Sequence, residues 1–201
     1  MSLITDTHSR LADTDAELLP VLAERWSPRG YDASAVVDEA VLTTVLEAAR
    51  WSPSASNSQP ARFIVTRRGS ANFATIHANL MGFNQAWADS ASVLIASVAE
   101  VPIDPETNLP KESPWTRYDV GQAVAHLSIQ AQAEGLHTHQ LGGFEGQALA
   151  EAFNLAANQV IVTITTLGVL GDASTLTPEL LEREIAPRTR KPLTELLLVN
   201  D

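Results

Sequence analysis

Four arginines stand out in an otherwise acidic chain. Arg25 and Arg29 share one proline-containing segment, and Arg188 and Arg190 share another. Guanidinium groups paired at this spacing suit a phosphate dianion, because each offers a planar fork of N–H donors. The same spacing also fits ordinary surface arginines. A second stretch with chemical potential is Ser52-Pro53-Ser54-Ala55-Ser56-Asn57-Ser58-Gln59-Pro60, built almost wholly from small hydroxyls, amides and prolines. Its prolines fix φ and stop a helix, while Ser and Asn side chains hold turns. Such a loop is either a connector or a rigid platform presenting hydrogen-bonding groups to a ligand. His137 and His139 alternate and would share one face of a strand, as metal ligands do. No third ligand stands near them, so they read as solvated or hydrogen-bonded strand residues. Glu182 and Glu184 read as a solvated helix face, and Trp51 and Trp87 as core aromatics at helix ends.

The elements that must position these residues follow from periodicity. Val37, Val41, Leu42, Val45, Leu46 and Ala49 recur at helical spacing and predict a helix over 37–51, with Asp32 or Ser34 as its cap and Ser52-Pro53 as its stop. A short helix over 15–24, weakened or kinked by Pro20, precedes the first arginine pair. Residues 62–67 predict a strand with Phe63 and Val65 on one face, residues 72–81 a helix, and the apolar run 92–99 a buried strand. The proline-rich 101–115 is an irregular loop. Val120, Val124, Leu127, Ser128 and Ala131 form the stripe of a long helix over 117–135 that Gly135 ends. A short strand over 136–141, a Gly142-Gly143 turn, a helix over 145–153, a strand over 160–169 and a weak helix over 176–184 complete the series. The apolar tail 192–199 is expected to dock on its own subunit or a partner. Interleaved helices and strands predict an α-β-α sandwich, with 1–14 a flexible arm and 15–201 a single domain.

Composition removes several functions. A formal charge of −11 argues against nucleic-acid or anionic-membrane binding, which need a basic surface. The absence of cysteine excludes disulfides, thiolate catalysis and Cys-ligated metals, and is compatible with a cytoplasmic location. No basic segment followed by an apolar run opens the chain, and no stretch is long and apolar enough to span a membrane. Glycine-rich dinucleotide turns, phosphate-binding loops ending in Lys-Ser or Lys-Thr and nucleophile elbows are all missing.

An ordered series of segments over 19–199 resembles the FMN-dependent nitroreductase family. Arg25-Trp26-Ser27-Pro28-Arg29-Gly30-Tyr31-Asp32 is similar to its N-terminal flavin segment. Pro53-Ser54-Ala55-Ser56-Asn57-Ser58-Gln59-Pro60 is very similar to its most recognisable motif. Gly82-Phe83-Asn84, Tyr118-Asp119-Val120-Gly121, Gln140-Leu141-Gly142-Gly143-Phe144 and Arg188-Thr189-Arg190 match later segments in order. The resemblance implies an α+β fold with a mainly antiparallel central sheet and an intertwined homodimer with FMN at the interface. It implies that Arg25, Trp26, Ser27, Arg188 and Arg190 serve the phosphate end and Arg29 the N1/O2 edge of the flavin. Asn84 would meet the pyrimidine edge, and Gln140, Leu141, Gly142 and Gly143 the ring face and N5. Pro53, Ser54, Ala55, Ser56 and Asn57 would reach the partner's FMN, with Gln59 supporting the turn.

The implied activity is a ping-pong transfer of two electrons from NADH or NADPH to a small electron-poor acceptor such as a nitroaromatic, quinone or enone. No protein acid, base or metal is required, since the cofactor carries the redox step. One position departs from the pattern: Trp87 stands where better-known members carry a lysine near the flavin. That departure and the short 101–115 loop keep two alternatives open, a flavin-binding or sequestering protein with little turnover, and a member with divergent chemistry such as flavin cleavage or reductive dehalogenation.

Overall fold

The computed structural model describes residues 10–111 and 113–200. Twelve helices and strands follow one another as α1 (Pro20–Glu24), α2 (Glu39–Arg50), β1 (Ala61–Arg67), α3 (Ala71–Ala78), α4 (Gly82–Ala88), β2 (Val93–Glu100), α5 (Pro114–Ala133), β3 (His137–Leu141), α6 (Gly146–Ala152), β4 (Gln159–Gly168), α7 (Pro178–Ile185) and α8 (Leu193–Leu196). The four strands form one antiparallel sheet in the order β1-β2-β4-β3. The two central strands are the most apolar, because both of their faces are covered.

Strand alternation sends successive side chains to opposite layers. Val93 and Ile95 of β2 and Leu167 of β4 face α2 and α5, where Leu42, Val45, Ala49, Ala123, Leu127 and Ala131 pack on them. Leu94, Ala96 and Val98 face the opposite layer, where Phe73, Ile76, Trp87, Leu149 and Leu180 come from α3, α4, α6 and α7. The three-layer sandwich with an antiparallel central sheet is therefore as expected.

Several local expectations need correction. Pro20 opens α1 rather than kinking a longer helix, since its missing N–H costs nothing in the first turn. Asp38, not Asp32 or Ser34, caps α2 and accepts from the Ala40 and Val41 amides. Asp32 instead closes its own turn on Ser34. The helix read over 72–81 is α3, which stops at Ala78 before Leu80 bridges to Phe144, and a further helix, α4, follows from Gly82 that the sequence did not announce. Pro114 starts α5 three residues early, whereas Gly135 ends it as anticipated at φ +73°. Residues 1–9 of the expected N-terminal arm lie outside the described residues, while Arg10 and Ala12 hydrogen-bond to Ala186 and Ala23. In the tail, Leu193, Leu196 and Val199 are exposed and Leu198 is 97% exposed, so it finds no apolar seat on its own subunit. Among the described residues no helix is long and apolar enough to cross a membrane.

Candidate functional site

The segment after α1 is built into the end of the sheet. Tyr31 bridges antiparallel to Leu170, the Asp32 amide donates to Val169 O, and the Gly171 amide donates to Gly30 O. A Cβ on Gly171 would lie 2.3 Å from the Tyr31 carbonyl carbon, so only glycine permits this approach. Buried Tyr31 donates or accepts a 2.7 Å bond with Thr166, and burial pushes its phenol pKa up. Trp26 is buried edge-on to His137, with the Arg10 guanidinium 4.2 Å from its ring, so its side chain braces the segment from behind.

Guanidinium groups gather on the exposed side of this segment. Arg25 donates to Trp26 O and to Ser27 Oγ. Arg188, arriving from beyond α7, donates to the carbonyls of Arg10, Ala23 and Arg25. Burial, then the charges of Arg25, Arg190 and Arg10, hold the Arg188 pKa below the usual guanidinium value. Burial and Arg190 do the same to Arg25. Among the described residues none of Arg25, Arg188 and Arg190 has a carboxylate ion-pair partner. Like charges collected without a counter-ion are costly in the free protein and are relieved by an anion.

Arg29 is held differently. Its amide and that of Gly30 donate to the Glu184 carboxylate at 2.9–3.1 Å, and its Nη1 lies 3.8 Å from Glu184 Oε2. Its Nε is buried and has no hydrogen-bond partner among the described residues. The same guanidinium lies 5.9 Å from the ring centre of Phe83 and 6.0 Å from that of Trp87. Asn84, on α4, donates through Nδ2 to Gly143 O at 3.1 Å, and the Met81 amide donates to the same oxygen. A Cβ on Gly143 would meet Asn84 Nδ2 at 3.0 Å, so the glycine allows the turn to close onto α4. Gln140 donates to Ser128 Oγ, and buried Leu141 ends β3. A cleft of about 530 Å³ connects Arg25 with Gln140 along α5.

The proline–serine–asparagine loop lines a separate cavity of about 450 Å³ on another face of α5, containing Pro53, Ser54, Gln59 and Asp119. Within the loop Ser56, Asn57 and Gln59 all have positive φ, near +50°. For residues with a Cβ this costs about 1–2 kcal/mol each. The conformation is held by Ser54 Oγ accepting from the Gln59 amide and by Gln59 O accepting from Arg62. Buried Asp119 accepts from the Ala55 amide. Strain in an exposed loop, maintained by outside anchors, is characteristic of binding segments.

A model of the nitroreductase family matches residues 22–76 and 67–169. The chain belongs to the nitroreductase family. A crystal structure described as an oxidoreductase containing FMN superposes with a TM-score of 0.86 and 33% identity, covering 97% of this chain and 96% of that one. An uncharacterised 15.4 kDa protein of Mycolicibacterium smegmatis is 32% identical over 142 residues, 67% of this chain and 92% of its own. YdgI of Bacillus subtilis (strain 168), named provisionally as an NAD(P)H nitroreductase, is 24% identical over 191 residues, 78% of this chain and 90% of its own.

Within this nitroreductase-family chain, Trp87 is internal. It is 2% exposed, stacked on Tyr31 and tilted against His139 at 4.8 Å, behind Arg29. The imidazole of His139 donates from Nδ1 to Pro28 O, which fixes its tautomer. Burial above all pushes the pKa of both His137 and His139 down to about 4, so the solvated reading gives way to buried, neutral rings. Trp51, by contrast with the expected core role, is exposed.

Sequence reasoning missed two functional supports. Glu184, read as solvated, is 1% exposed; its place four residues after buried Leu180 was the available signal that it faces inward. The second is Asp119, whose place four residues before buried Ala123 sets it on the inward face of α5.

Proposed function

We propose that the chain binds FMN and passes two electrons from NADH or NADPH to a small electron-poor acceptor. The observation that carries this reading is the convergence of Arg25, Arg188 and Arg190 without a carboxylate counter-ion among the described residues, beside an Arg29 whose Nε is buried and unpartnered. These residues fit a phosphate-bearing, electron-accepting group. Arg25 and Arg190 hold the phosphate, and Arg188 adds charge while tying the flanking backbone. Arg29 offers a fixed cation where negative charge gathers at N1 and O2, an arrangement that costs no reorganisation during reaction. Asn84 keeps its carbonyl oxygen available for the pyrimidine edge while its amide holds Gly143.

FMN held by these residues would supply the two-electron redox chemistry between NAD(P)H and the acceptor. Overall, NAD(P)H, a proton and the acceptor become NAD(P)+ and the two-electron-reduced acceptor, in ping-pong order. Nitroaromatics, quinones and enones fit that requirement, and the cytoplasm is where the nicotinamide donor is available. The separation of the strained loop from the arginine cleft supports a homodimer in which Pro53, Ser54, Ala55, Ser56 and Asn57 complete the partner's site. The exposed leucines of the tail support the same assembly.

One observation favours a second reading, a flavin-binding protein with little turnover. Within residues 103–110 the chain forms a closed turn, in which Asp104 accepts from the Glu106 and Thr107 amides and Ile103 bridges to Pro110. Reconstitution followed by anaerobic stopped-flow mixing with NADH and with NADPH separates the two. Rapid bleaching of the bound flavin by either nucleotide supports the oxidoreductase; retained but unbleached flavin supports the binding protein. A purified protein that stays colourless in excess FMN overturns both.

A further inference from the structure

We propose that Glu184 is the positioning residue and electrostatic counterweight of Arg29, setting the redox potential of the bound cofactor through that arginine. The inference rests on the reading above that Arg29 faces the N1/O2 edge of FMN. Glu184 comes from α7, more than 150 residues away in sequence, and is 1% exposed. Both its oxygens accept from the Arg29 amide at 2.9 Å, and Oε1 also accepts from the Gly30 amide at 3.1 Å. These bonds fix the backbone from which the Arg29 side chain projects. Oε2 stands 3.8 Å from Arg29 Nη1, close enough to share its charge yet too far for a hydrogen bond.

A buried carboxylate is expensive unless it does something its neutral isostere cannot. Two backbone amides could be satisfied by a glutamine, so the bonds alone do not require a charge. The counter-charge does have a consequence. Reduced FMN is anionic at its N1/O2 edge, and the stabilisation it draws from Arg29 is weakened by a carboxylate behind the guanidinium. Glu184 thus aims Arg29 while keeping the reduced cofactor from being held too tightly to react. Arg183, whose charge also reaches Arg29, lies 4.6 Å over the Phe83 ring and does not take part in the Glu184 amide bonds.

The test is the midpoint potential of bound FMN in Glu184→Gln, which keeps an acceptor of the same length and removes the charge. Reduced FMN is expected to gain about tenfold in affinity relative to oxidised FMN, an upward shift of about 30 mV for the two-electron couple. In an Arg29→Gln background the same substitution should leave the reduced-over-oxidised preference for FMN within twofold of that background. An unchanged potential in the single variant, or an equal shift in the double, overturns the inference while the FMN reading stands; a wild-type protein that retains no FMN overturns both. If Glu184→Gln does not fold, Glu184→Asp serves in its place. It keeps the charge but withdraws it from the amides, so FMN affinity should fall several-fold with the reduced-over-oxidised preference within twofold of wild type. A tenfold rise in reduced-over-oxidised preference in that variant overturns the inference.

Discussion

The Ala55 amide donates to Asp119 Oδ2 over 3.0 Å, fastening the strained loop to the buried side of α5. Asp119 also accepts from Gln122, which steadies the carboxylate on its helix. Replacing Asp119 by alanine leaves the Ala55 amide without its partner, at a cost of about 1–3 kcal/mol. The loop should lose its fixed shape, and FMN affinity should drop about tenfold or more. Fluorescence titration with FMN, run beside a thermal melt, checks both; unchanged affinity would mean that the anchor serves stability only.

Asn57 at φ +54° offers a cleaner probe of the loop. Glycine tolerates that conformation, so Asn57→Gly should keep the folded state within about 1 kcal/mol of wild type. The side-chain amide is lost, and FMN retention should weaken several-fold. Circular dichroism and equilibrium dialysis read the two effects separately.

Arg190 is exposed and donates only to its neighbour's carbonyl, so it owes little to folding. Arg190→Gln should alter stability by less than about 0.5 kcal/mol. Because the proposed contact is to phosphate, affinity for FMN should fall at least tenfold while affinity for riboflavin stays level. The FMN affinity of the wild type should also decline with added salt more steeply than that of the variant. Equal losses for FMN and riboflavin would remove Arg190 from the phosphate end.

Two buried histidines make the fold acid-sensitive. The pKa values of His137 and His139 fall from 6.5 to about 4, so between these pH values the unfolded chain binds more protons than the folded one. Stability from this source is complete above pH 6.5 and is lost as pH falls toward 4, on the order of 2 kcal/mol per histidine by pH 5. Among the described residues neither ring nitrogen of His137 has a partner, so His137→Leu sacrifices no hydrogen bond there. Urea denaturation at pH 7 and pH 5 should show a smaller acid loss in that variant, and an identical loss would contradict the assignment.

Much of the architecture was legible in the chain itself. The stripe from Val120 to Ala131 announced α5, and Gly135 announced its end, because helical periodicity and a left-handed stop are properties of neighbouring residues. The run from Val93 to Ala99 announced a strand buried on both faces for the same reason. Local signals failed where a long-range contact overrode them, as at Leu80, whose bridge to Phe144 follows the end of α3 at Ala78, inside the helix expected over 72–81.

The candidate site shows the same division. Residue types and their order along the chain determined which arginines, which asparagine and which loop to consider. Only the tertiary structure decided that Arg25, Arg188 and Arg190 share one field, that Trp51 is exposed, and that the loop of residues 53–59 lines a different cavity from Arg25. It alone turned Glu184 inward onto amides 154 and 155 positions away. The reason is physical: helix, strand and turn preferences act over a few residues, whereas burial, charge sharing and the satisfaction of a distant amide depend on which segments the packed core brings together.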